Sequence, residues 1–174
     1  EARIGHFREL LTVKLGEFLQ NHVFAQWVKA ADEIGTPEDR IRHYPELLAL
    51  ELDPETRAYV HSRWIESVDE LPSPEQRIGH FRELLTQFKD PALHEILFKR
   101  WMEALLQLES PEQRQQQFTE LLAAKPSPGT RSFVIHRKAE FEASQSNPVA
   151  FPELLEFAEN PEDRREVAAF WVAA

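Results

Sequence analysis

Ten residues, Arg3 to Thr12, recur letter for letter as Arg77 to Thr86. Altered copies follow Arg40-Ile41-Arg42-His43-Tyr44 and Arg114-Gln115-Gln116-Gln117-Phe118, and a fainter one opens at Phe151-Pro152-Glu153. The aromatic anchors Phe7, Tyr44, Phe81 and Phe118 stand 37 residues apart, and Phe151 follows after 33. A fixed step in this range marks stacked supersecondary units, each unable to bury its apolar face alone. The expected fold is all-α: a right-handed α-solenoid of about five two-helix repeats with a 37-residue period. The expected domain is residues 1–174 as one array, with repeats at about 1–35, 36–72, 73–109, 110–146 and 147–174.

Each good copy opens on a helix start: Thr36-Pro37-Glu38, Ser73-Pro74-Glu75 and Ser110-Pro111-Glu112. The hydroxyl accepts from first-turn N–H groups, proline fits the first helical position, and the acidic residue suits the helix dipole. Gln76 and Gln113 are placed to close a capping box. This first (A-type) helix carries Ile78, Phe81, Leu84 and Leu85 on one stripe. Asp53-Pro54, Asp90-Pro91, Ser127-Pro128 and Asn160-Pro161 then open a second, B-type helix. Its stripe in the third copy is Leu93, Ile96, Leu97, Trp101, Ala104, Leu105 and Leu108. Trp27, Trp64 and Trp101 hold one repeat place, and Trp171 returns it in the last copy. In the fourth copy Lys138 stands there, and Ser144 to Pro148 replace the compact Ser-Pro turn, so a bend or altered stacking angle is expected.

Composition narrows the partners. The net charge is −10, from 30 acidic and 20 basic side chains, which repels nucleic-acid phosphate and anionic lipid. Nothing approaches the ~18 apolar residues of a membrane span. There are no cysteines, so disulfides and thiolate metal sites are excluded. Both ends read as cut: Glu1 lies inside a repeat, and Phe170-Trp171-Val172 ends the chain without the polar cap of a finished solenoid. The expectation is a fragment of a longer protein, or ends covered by a partner.

His6, His43 and His80 precede the anchors, and Glu9, Glu46, Glu83, Glu120 and Glu153 follow them by two places. The histidines could line a groove; the plainer reading packs each ring beside a leucine and satisfies a local hydrogen bond, a task Gln117 could share. The glutamates could form an acidic ladder for a basic peptide, or pair with the recurrent Arg3, Arg40, Arg77 and Arg114. The place between them varies (Arg8, Pro45, Arg82, Thr119, Pro152) and is where a stacked array can encode partner choice. His94-Glu95 lacks the second histidine of a zinc protease helix, and no phosphate loop or nucleophile elbow is present. No catalytic residue, metal or cofactor is therefore expected.

At the level of the unit the whole chain resembles the tetratricopeptide and HEAT class of α-solenoids. Its step lies between their lengths of about 34 and about 40–47 residues, and bulky Phe81 and Trp101 stand where tetratricopeptides use small residues. The resemblance implies a scaffold that binds a protein or peptide along a helical groove, with Arg8, Arg82, His6, His43, His80, Glu9, Glu46 and Glu83 as contacts. Neither nucleic acid nor membrane is an expected partner, whereas end-to-end self-association is. The rival reading is a solenoid that only spaces other modules, for instance in a secreted bacterial factor; the residues themselves do not fix localisation. RNA binding, which the pentatricopeptide class would suggest, asks for a basic surface that only Arg131, Arg137 and Lys138 approach locally.

Overall fold

The computed structural model describes residues 5–7, 9–10, 17–33 and 35–173. Among them the fold is all-α, with no strand. The chain divides into two compact units, Glu1–Ser73 and Pro74–Ala174, and the division falls inside the Ser73-Pro74 helix start.

In the first unit residues 5–7 and 9–10 are helical, followed by α1 (Glu17–Asp32), α2 (Pro37–Leu48) and α3 (Pro54–Asp69). The Thr36 and Asp53 side chains accept from the Asp39 and Thr56 N–H groups, as proline-led starts require. Tyr44 anchors the core. Its ring stacks on Trp64 at 6.1 Å, and both are buried with Leu47, Val60 and Val68. The phenol donates to Asp32 Oδ1 at 3.1 Å and lies 3.1 Å from Ser67 Oγ, while Arg63 Nε donates to Asp32 Oδ2 at 3.0 Å. Burial pushes the phenol up to about 12; the Ser67 contact opposes this and the Asp32 charge adds to it.

The second unit comprises α4 (Pro74–Gln87), α5 (Pro91–Leu105), α6 (Pro111–Ala123), α7 (Pro128–Ser144), a 3₁₀ turn (Pro148–Ala150), α8 (Phe151–Phe157) and α9 (Pro161–Ala173). Helices adjacent in sequence pack on one another, and α7 also packs on α9. Asp90, Ser110 and Ser127 cap their helices through the N–H groups of Ala92, Gln113 and Thr130. The expected capping box is not what occupies Gln113: the Ser110 hydroxyl donates instead to Glu112, and Gln113 lines a cleft described below. Phe81, Phe118 and Phe151 are fully buried anchors.

The B-type stripe is rotated from its expected position. Leu97, Trp101, Ala104, Leu105 and Leu108 are buried as read, but Ile96 is exposed while Phe98 and Met102 are buried. The cause is that α5 contacts α4, α6 and α7 together, so its covered arc is wider than a two-helix contact demands. After α7 the chain turns through Ser146 (φ 51°) into the 3₁₀ turn, and Asn147 makes no side-chain cap. As a result Phe151 is the first residue of a seven-residue α8, whereas Phe81 and Phe118 are the eighth residues of α4 and α6. The shortened step removes the opening turns of the A-type helix and keeps its anchor.

Among the described residues, Arg40, Arg77 and Arg114 reach the segments that close the B-type helices. Arg40 pairs with Glu70, Arg77 Nη2 donates to Gln107 Oε1 at 2.8 Å, and Arg114 donates to the Leu108 carbonyl with its guanidinium 5.4 Å from the Phe141 ring centre. Carbonyls just past a helix C-terminus lack intrahelical donors, and at Leu108 the Arg114 guanidinium supplies one.

Candidate functional site

The sequence placed the histidines and glutamates together, and the structure does so only locally. Nδ1 of His6, His43 and His80 lies 3.8, 3.8 and 3.9 Å from the carboxylate of Glu9, Glu46 and Glu83 respectively. These separations exceed hydrogen-bond reach, and each pair spans one turn of a single helix. Burial differs between copies: the His6 side chain is 77% exposed, whereas His43 is 16% exposed and its Nδ1 is buried without a hydrogen bond. Arg8 lies outside the described residues. Gln117, in the histidine place of the fourth copy, accepts from Trp101 Nε1 at 3.2 Å and donates to Glu120 Oε2 at 3.2 Å. That copy shows the structural use of the position.

Arg82 occupies a better-defined place. A cleft of about 190 Å³ runs between α4 and α6. Ile78 and Leu108 give it apolar surface, Arg82, Gln113, Gln116 and Gln117 give it guanidinium and amide groups, and Glu75 adds a carboxylate. Gly79 opens its α4 side: a Cβ there would meet nothing within 4 Å. Helix-interior glycine costs about 1 kcal/mol relative to alanine, a cost that packing does not require here. Arg82 Nη1 forms an ion pair with Glu120 Oε2 at 2.9 Å and its guanidinium lies 5.9 Å from the Trp101 ring centre. Gln116 Nε2 donates to the other Glu120 oxygen at 2.8 Å, so this carboxylate accepts two amide hydrogen bonds beside the Arg82 charge. Among the described residues the Gln113 amide makes no hydrogen bond. The arrangement can recognise amides or a carboxylate.

Two features escaped the sequence reading. A more apolar cavity of about 290 Å³ lies between α5 and α7, against Phe98, Met102 and Phe133, with a Thr130–Glu95 hydrogen bond at its rim. Its signal was Gly129 in the first turn of α7, together with aromatics off the expected stripe. The second feature is Lys138, which reads as a charged lapse in a tryptophan place yet is fully buried. Its Nζ donates to Thr119 Oγ1 at 2.8 Å and lies 4.0 Å from Glu153 Oε1. Glu142 is buried beside it, with Oε2 accepting from Asn147 Nδ2 at 2.9 Å and Oε1 unpaired. Burial pulls the Lys138 pKa down, against the Glu153 and Glu142 charges. Burial likewise pushes the Glu142 carboxyl up, against the Asn147 hydrogen bond and Lys138, with Glu153 adding to the rise. Thr119 is the variable place of the fourth copy and Glu153 the recurrent glutamate of the fifth, and both face the buried Lys138 ammonium.

No protein-family model matches the chain, and neither a curated protein nor a solved structure matches it.

Proposed function

We propose that the chain is a helical-repeat scaffold that binds a partner protein or peptide in the cleft between α4 and α6. The repeat architecture in its finer form, about five two-helix units in a right-handed solenoid forming one domain, belongs to the same proposal and rests on the 37-residue sequence step. The observation carrying the binding reading is the cleft itself, with apolar Ile78 and Leu108, the amides of Gln113, Gln116 and Gln117, and an opening at Gly79. Amide side chains match the alternating donors and acceptors of an extended peptide, and an apolar surface takes one side chain. Arg82 favours an acidic group on the ligand, despite the acidic net charge of the chain.

A spacer function has its own observation. Gln117 is hydrogen-bonded to Trp101, and Glu120 and Glu153 are ion-paired with Arg82 and Lys138, so much of this polarity is satisfied inside the unit. A selection from a phage-displayed random peptide library against the chain separates the two. The binding reading expects enriched sequences whose affinity falls at least about tenfold in Gly79→Leu and in Arg82→Glu, corresponding to about 1.4 kcal/mol. Absence of enrichment, or enriched peptides indifferent to both changes, leaves the spacer.

A further inference from the structure

Inside the second unit B-type helices meet twice, α5 with α7 and α7 with α9. Their starts at Pro91, Pro128 and Pro161 put matching places in register. At the α7–α9 joint two polar rungs cross. Ser132 Oγ donates to Asp163 Oδ2 at 2.9 Å, and one turn on His136 Nδ1 lies 3.1 Å from Glu166 Oε2. The α5–α7 joint has the first rung, from Thr130 to Glu95. In the second, Lys99 holds the place of His136, but Phe133 holds that of Glu166. Among the described residues Lys99 makes no hydrogen bond or ion pair.

Lys99 and Phe133 instead border the cavity of about 290 Å³, together with the buried side chains of Phe98 and Met102. Gly129 opens it further, since a Cβ there would meet nothing within 4 Å. Arg137 steadies the Phe133 ring: its guanidinium lies 5.4 Å from the ring centre and is paired with Glu140. A dry apolar cavity of about 150 Å³ takes one benzene ring, so this one has room for a fused pair. Two phenylalanines and a thioether suit the faces and edges of such a ring system. The joint thus combines an apolar bed with an ammonium that faces no acid.

We infer that the α5–α7 cavity binds a small aromatic carboxylate, its rings against Phe98, Met102 and Phe133 and its acid group on Lys99. The ligand's carboxylate does for Lys99 what Glu166 does for His136 at the next joint. Glu95 sets the limit on this attraction: it also lines the cavity, one turn before Lys99, and its charge opposes an anion. The cavity shares no lining residue with the α4–α6 cleft, so the two sites stand or fall separately.

Isothermal titration calorimetry with naphthylacetate, naphthylacetamide and naphthylethylamine reads the site. The wild-type chain should bind the acid at least about tenfold more tightly than the amide. Lys99→Gln, at an exposed place that leaves the fold intact, should abolish that difference. Glu95→Gln keeps an acceptor for Thr130 and should tighten the acid while leaving the amide unchanged. Gly129→Leu should weaken acid and amide alike by at least about tenfold, with unchanged helical circular dichroism. Absence of acid binding at roughly millimolar concentration overturns the inference. So does equal affinity for acid and amide, tighter binding of the amine, or acid binding that survives both Lys99→Gln and Gly129→Leu.

Discussion

Trp101 and Lys138 hold the same repeat place 37 residues apart, and both are buried to 2% or less. The first seat is filled by an indole whose single N–H finds Gln117; the second holds an ammonium that needs Thr119, Glu142 and Glu153 around it. In both copies the place is covered, and its chemistry follows from what neighbouring residues can satisfy. An apolar seat is robust to small changes nearby. A charged one is hostage to every partner, since removing a single member leaves buried charge uncompensated.

The sharpest break of this comparison removes each occupant. Trp101→Ala should cost about 3–5 kcal/mol through the cavity it leaves, and Lys138→Ala a similar ~3–5 kcal/mol by stranding Glu142, both read from urea melts. The two differ on rescue. Lys138→Met with Glu142→Leu should recover most of the loss, since well-packed apolar pairs replace buried ion pairs at little cost; a double variant as weak as Lys138→Ala would show that the polar set is needed as it stands. Next, Gln117→Ala should cost about 1–3 kcal/mol by leaving the Trp101 N–H and Glu120 short of partners.

The first unit extends the comparison to pH. Its buried phenol, Tyr44, has a folded pKa raised from 10.0 to about 12. The folded chain therefore keeps a proton that the unfolded chain gives up, and stability is fully present below pH 10.0 and lost as pH rises toward about 12. Melting temperatures across that window should fall in the wild type and fall less in Tyr44→Phe. The smallest expected effect is Gly79→Ala, which should stabilise by about 0.5–1 kcal/mol because helix entropy improves and the Cβ clashes with nothing.

Much of this architecture was readable from punctuation. Helices begin at Pro37, Pro54, Pro74, Pro91, Pro111, Pro128 and Pro161, each after the Ser, Thr, Asp or Asn that the cap chemistry asks for. Those signals are local, so a sequence displays them. What depends on the number of neighbours was harder: the rotation of the α5 stripe toward Phe98 and Met102 follows from three packing partners, and no single-helix periodicity records that. Lys138 was misread for the same reason, because its partners come from α6 and α8 as well as its own helix. Of the expected contacts, Arg82 lines the α4–α6 cleft, which also draws on Gly79, a place repeat logic did not single out, and on Gln113, read there only as a capping residue.

The central claim is that the α4–α6 cleft recognises a peptide. An amide-resolved NMR titration with the best peptide from the library selection addresses it most directly. The account predicts shifts concentrated at Ile78, Gly79, Arg82, Gln113 and Gln116. Shifts centred instead on Phe98, Met102 and Phe133, or none at saturating peptide, would contradict it.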